Sequence, residues 1–231
     1  MRFLTLPAVV ATMTLSSLGL AATPGFAAAT WPDTPASRLQ ALAVLQTLNA
    51  DLLSHDSATL TLDRWCSSHK LAEGAKIVAE RLKDVDKPAT AEIRAALAVG
   101  EKDKVGYRRV RLKCGERVLS EADNWYVPAR LTDDMNHVLD TTDGAFGRVV
   151  QPLHFQRHTL SAELLWKPLP DGWDMGAPLP AAGSDTLAIP DYVLQHKALL
   201  SLPDGTPISL VVETYRRDLL DFAPPKLDTG K

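Results

Sequence analysis

The apolar positions of this chain follow a helical period at the start and a two-residue period later. Leu39, Leu42, Leu45, Leu48 and Leu52 recur at helical spacing. Thr34 stands before them as a cap, and Pro35 is pre-set for a first helical position, so a helix is predicted from there to Ser54-His55. A shorter helix carrying Trp65 and Cys66 is predicted from Thr61. The stretch Ala75 to Leu82 fits a strand or a helix, with strand the preferred reading, and Ala91 to Val99 reads as a short helix after the break at Pro88. From Tyr107 the pattern becomes alternating. Tyr107 to Cys114, Val118 to Val127, Phe155 to Trp166, Tyr192 to Leu202 and Pro207 to Tyr215 are predicted strands. Cys114-Gly115-Glu116-Arg117 joins the first pair and Pro203-Asp204-Gly205-Thr206 the last. Thr132 caps a helix running through Leu139, with Asp133 and Asp134 at its positive end. Lys167 to Pro190 has no periodicity and reads as a long loop or flap. Helices first and antiparallel hairpins afterwards imply an α+β fold.

The first 29 residues carry a different signal. Arg2 is the only charge before Asp33, a mostly apolar run spans Phe3 to Leu20, and Ala27-Ala28-Ala29 offers a cleavage site after Pro24-Gly25. This is the pattern of a secretory signal peptide, 1–29. It implies a single domain over 30–222, a flexible tail over 223–231, and a periplasmic or secreted location. Roughly two hundred residues then remain, enough for one sizeable core. The formal net charge of −3 offers nothing to nucleic acid or to an anionic membrane surface. No stable membrane insertion is expected once the leader is removed, and a monomer is expected. Cys66 and Cys114 are the only cysteines. An oxidising compartment permits one disulfide between them; two small buried apolar residues are the alternative.

Candidate chemistry sits on two of the strands. Arg109 and Glu213 are both expected to face the inside of the sheet, Glu213 alongside Val211 and Tyr215. A guanidinium fixes a carboxylate, and a buried acid can carry a proton near neutral pH. The bland alternatives are a solvated Arg109 beside Arg111 and Lys113, and a Glu213 paired with Arg216 or Arg217. His196 shares an apolar strand face with Leu194, Ala198 and Leu200, the usual setting of a hydrogen-bonded core histidine. His154 and His158 lack an acidic partner at ligand spacing, so no metal site is expected. Asp56, Ser57 and Thr59 read chiefly as a cap or turn. No G-x-S-x-G, G-x-G-x-x-G, Walker or H-E-x-x-H pattern occurs.

Several segments, in order, resemble those of chorismate pyruvate-lyase. Leu52 to Thr59 looks like the segment after that family's first helix. Arg109 to Pro128 resembles its central hairpin, Ala145-Phe146-Gly147 its turn before a short helix, and Gly205 to Glu213 its last hairpin. The resemblance implies an antiparallel sheet of about six strands with helices packed on one side. It also implies an enclosed site and no cofactor. Arg109 would hold a substrate carboxylate, and Glu213 would handle the proton as pyruvate leaves chorismate to give 4-hydroxybenzoate. Ala58, Phe146, Gly147 and His196 would add substrate contacts. The same fold serves as the effector-binding domain of some bacterial transcription regulators, so fold alone does not settle activity. Two positions depart from the family: Asn124 stands where it has a second arginine, and His196 where it has a basic residue. Three functions follow as expectations: an exported lyase acting on chorismate or a related small carboxylate, a non-catalytic ligand-binding module, or an envelope interaction protein.

Overall fold

The computed structural model describes residues 30–74, 76–183 and 185–227. The leader expected over 1–29 and the last four residues of the expected tail lie outside them. Six strands form one antiparallel sheet: β1 (Ile77–Arg81), β2 (Gly106–Cys114), β3 (Arg117–Tyr126), β4 (Gln156–Leu164), β5 (Tyr192–Ser201) and β6 (Pro207–Arg216). Their order across the sheet is β1-β2-β3-β6-β5-β4, so two hairpins meet where β3 pairs with β6. Among the described residues five α-helices accompany it: α1 (Pro35–Leu53), α2 (Ala58–Ser68), α3 (Ala91–Ala96), α4 (Asp133–Thr141) and α5 (Phe146–Val149). The α+β class and the six antiparallel strands agree with the sequence reading.

Local signals account for the helix starts. Thr34 Oγ1 accepts from the Ser37 amide at 3.1 Å, Thr90 Oγ1 from Ile93 at 3.3 Å and Thr132 Oγ1 from Met135 at 3.2 Å. α2 begins three residues before the predicted start, because Ser57 rather than a later residue supplies the cap, accepting from the Leu60 amide.

Strand register sorts the side chains onto two faces. On one face lie Val110, Leu112, Ala122, Val211 and Tyr215, packed with Leu45, Leu48 and Leu52 of α1 and with Leu62 of α2. Each fully buried leucine of this core removes enough apolar surface to contribute about 2 kcal/mol. α4 and α5 extend the same face through Leu139, Phe146 and Val150, which pack with Tyr126. α3 lies on the opposite face, where Ile93 and Leu97 cluster with Trp125 and Leu210. The expectation of helices on one side therefore holds for four of the five. The rest of that opposite face carries charge, which α3 does not cover.

Cys66 of α2 and Cys114 at the end of β2 form a disulfide, with Cα atoms 6.0 Å apart and a sequence separation of 48. Of the two sequence alternatives, the disulfide is the one adopted. Two indoles fasten the C-terminal part of the chain. The Trp31 Nε1–H donates to the Leu220 carbonyl at 2.9 Å and the Trp65 Nε1–H to the Leu219 carbonyl at 3.0 Å. No described helix is long and apolar enough to cross a membrane.

Candidate ligand-binding site

A pocket of about 40 Å³ opens between the helix-covered face of the sheet and the first turns of α2 and α5. Its floor is apolar: Val110 and Leu112 of β2, Ala122 of β3, Val211 of β6 and Leu200 of β5. Phe146 and Phe155 form further walls. Polar groups enter from Asp56, Ser57, Thr59, Asn124, Arg157 and Glu213. Such a mixture, apolar with a few convergent polar atoms, is typical of a small-molecule site. A cavity that holds a benzene ring measures about 150 Å³, so an aromatic acid fits this pocket only if its roof moves outwards.

Arg157 and Glu213 form the charged centre. Arg157 reaches from the edge strand β4 to β6, where its Nη2 donates to Glu213 Oε2 at 2.6 Å. The two side chains are only 4% and 9% exposed. Burial is the largest single influence and works against the arginine's charge, but Glu213, Tyr215 and Asp56 together outweigh it and its pKa is raised. The Tyr215 hydroxyl also donates to Glu213 Oε2, at 3.2 Å. Burial, and then the adjacent carboxylate, hold that phenol's pKa well above its usual value, so it keeps its proton. Arg157 Nε is buried without a hydrogen-bond partner among the described residues. A guanidinium carries five donors, and Glu213 takes one of them in this structure.

The roof is a meeting of two chain segments. A Cβ added to Gly147 of α5 would stand 3.1 Å from Ser57 Oγ and 3.6 Å from Thr59 Oγ1. Glycine here is what allows α5 to approach the start of α2 so closely. Three arginines hold this arrangement. Arg108, almost fully buried, donates to the carbonyls of Gly144 at 3.0 Å and Thr142 at 3.4 Å. Arg81 donates to the carbonyls of Leu139 and Asp140, both at 3.2 Å. Cations are thereby placed on the carbonyl end of α4. Arg148 ties α5 to Asp63 of α2 at 2.6 Å and to the Ile77 carbonyl at 3.1 Å.

The pocket brings together Ala58, Phe146, Gly147 and Glu213, four of the residues expected from the sequence. Arg109 is not among them. It pairs in register with Asp123, whereas Glu213 pairs with Ala122, which puts the two side chains on opposite faces of the sheet. The expected convergence of Arg109 and Glu213 is therefore corrected. Strand alternation is the physical reason: Val110, Leu112 and Cys114 point into the core, so Arg109, Arg111 and Lys113 point away. On that far face Arg109 meets Glu121 at 3.1 Å and Asp123 at 3.7 Å, within a charged lattice that includes Arg111 and Arg216.

His196 shares the helix-covered face, next to Glu213 in register, but does not line the pocket. It is fully buried, with Nε2 at 2.8 Å from Asn49 Oδ1 of α1 and its ring edge-on to Tyr215. Burial, and then the Arg157 charge, push its pKa down to about 4. The neutral ring then donates its Nε2–H to Asn49, as a core histidine does. The loop over 167–190, expected to help exclude water from the site, contributes no lining residue. It packs instead along α1, where Pro168, Leu169 and Trp173 line a groove with Leu39 and Leu42. Arg157 is the charged pocket-lining residue that sequence reasoning missed. No local pattern marked it, since the strand from Phe155 mixes polar and apolar residues on both sides. Among the described residues no cluster of metal-ligating side chains occurs.

No family model matches the chain. A protein of Sinorhizobium fredii (strain NBRC 101917 / NGR234), described as the uncharacterized protein y4mC, is 60% identical over 198 residues, covering 85% of this chain and 84% of that protein. Among solved structures, PhnF from Mycobacterium smegmatis is similar at a TM-score of 0.48 and 12% identity, over 75% of this chain and 70% of that one. The effector domain of PhnF from Mycobacterium smegmatis gives 0.44 and 13%, over 67% and 88%. A transcriptional regulator of the GntR family from Bacillus cereus gives 0.38 and 10%, over 67% and 98%. Likeness at this level says nothing about ligand or activity.

Proposed function

We propose that this chain, which belongs to the family of the Sinorhizobium fredii protein y4mC, binds a small organic acid in the pocket under α2 and α5, without turning it over. The observation that carries this reading is Arg157. It is a buried cation lining the pocket, its Nη2 bound to Glu213 and its Nε bound to nothing described. Glu213 takes one of the five guanidinium donors, which leaves others to offer a ligand acceptor. Carboxylates suit a guanidinium best, because both are planar and the carboxylate accepts the paired hydrogen bonds that the guanidinium donates. The lyase reading requires Glu213 to exchange a proton with substrate. Here its Oε2 is held by a guanidinium and a phenol, an arrangement that favours holding a charge over moving a proton. The size of the pocket favours a compact acid over a cyclic one.

We also propose that the protein works outside the cytoplasm as one domain over 30–222. The leader pattern and the Cys66–Cys114 disulfide support this, since such bonds persist where the surroundings are oxidising.

Calorimetric titration of the mature protein with acetate, propionate, pyruvate, benzoate and chorismate tests the binding. Saturable binding of a compact acid is expected. It should weaken at least tenfold in the double variant Arg157→Gln/Glu213→Gln, which removes both charges together. No binding of any acid, or undiminished binding by the double variant, would overturn the proposal. Pyruvate released from chorismate would overturn the absence of turnover.

A further inference from the structure

The pocket holds a second polar group whose orientation is set by its neighbour. Asn124 of β3 is 4% exposed and lines the pocket beside Val211. Its Oδ1 accepts a short hydrogen bond from the Ser209 hydroxyl, itself fully buried on β6. That bond turns the amide so that Nδ2 is the end left over, and Nδ2 has no partner among the described residues. It is also not sealed off, since the atoms that are both buried and unpartnered are Arg108 Nε, Ser120 Oγ, Arg157 Nε and His196 Nδ1. An amide nitrogen offers two hydrogen-bond donors and no charge.

The charges around the cavity are unequal. Among the described lining residues Arg157 is the only cation, whereas Asp56 and Glu213 are both acids. One carboxylate from a ligand can share Arg157 with Glu213. A second would find no cation and would stand near two like charges, which disfavours it. We infer that Asn124 is the specificity-determining residue of this pocket. It selects a monocarboxylate bearing a neutral oxygen acceptor, such as a carbonyl or hydroxyl oxygen, and it excludes dicarboxylates. The inference rests on the reading of the pocket as an organic-acid site.

The test compares acids that differ at one end only: butyrate, 4-hydroxybutyrate and succinate, with propionate, pyruvate and malonate as a shorter set. Affinities for the mature protein come from calorimetry. One added hydrogen bond is worth about threefold to tenfold in affinity. In at least one set the acceptor-bearing acid should bind tighter than its apolar counterpart by that factor, and the dicarboxylate should bind weakest. Asn124→Leu should collapse the ratio between the first two. Ser209→Ala, which frees the amide to turn, should narrow it. Asn124→Arg should raise the affinity for the dicarboxylate relative to the monocarboxylates. Thermal melting of each variant shows that it is folded. If acids bind and depend on the Arg157–Glu213 charges, but the ratio survives in Asn124→Leu and Ser209→Ala, this inference is overturned while the pocket reading stands. If none of the six acids binds, both are overturned.

Discussion

His196 makes a measurable statement about stability. The ring is fully buried beside Arg157, and its pKa falls from an ordinary 6.5 to about 4. Between those values the unfolded chain binds a proton that the folded chain refuses. Stability therefore rises with pH through this window, is complete above about 6.5, and is lost as the pH falls towards 4. At 1.36 kcal/mol per pKa unit the loss amounts to about 3 kcal/mol, a large part of the 5–15 kcal/mol typical of a domain. The charged groups facing the ring are Arg157 from β4 and Glu213 from β6; Tyr215 packs edge-on and Asn49 accepts the Nε2 proton. Substituting His196→Gln keeps a donor for Asn49 and removes the titration. Urea unfolding, followed by the fluorescence of the buried Trp31, Trp65 and Trp125, would be run from pH 7.5 to pH 4 on both proteins. Carboxylates titrate in both, so the difference between the two curves isolates the histidine. The native protein should lose about 3 kcal/mol more than the variant across the window. Parallel curves would refute a buried, neutral histidine.

Other perturbations follow from the same contacts. Reducing the Cys66–Cys114 bond releases a 48-residue loop and should lower unfolding free energy by about 4 kcal/mol in the chain-entropy treatment, read from urea midpoints with and without reductant. Arg157→Ala strands Glu213 in the core and should cost about 3–5 kcal/mol; the double glutamine variant should cost clearly less, and equal losses would count against a charged pair. Arg109→Ala, on the far face and a third exposed, should change stability by no more than about 1 kcal/mol and leave acid binding as it is. Gly147→Val sets a branched side chain against Ser57 and Thr59 and should weaken acid binding by forcing α5 off α2.

Much of the fold was legible because short-range signals agreed with one another. Threonine caps, turn residues and alternation placed the strands and most helix starts within a few residues. The site was legible in part. Glu213 was identifiable because an acid at an inward register position between Val211 and Tyr215 is unusual, and Ala58, Phe146 and Gly147 came from the family likeness. Arg109 misled because the likeness was followed over the strand's own parity, in which Val110, Leu112 and Cys114 define the inward set. Arg157 was hidden for a different reason. β4 is an edge strand with a bulge between Thr159 and Ser161, and most of its residues are exposed on both sides. Nothing local marks one arginine there as crossing β5 to a partner 56 positions later. Pairing across that distance is a property of sheet order, which single-strand patterns do not encode.

The indole of Trp31 on the carbonyl of Leu220 brings the first and last described segments of the fold side by side. A short glycine-serine bridge could therefore join position 222 to position 30, and the backbone could be reopened at the exposed Asp204-Gly205 turn between β5 and β6. A circularly permuted molecule of this kind would leave the chain unbroken around every pocket residue.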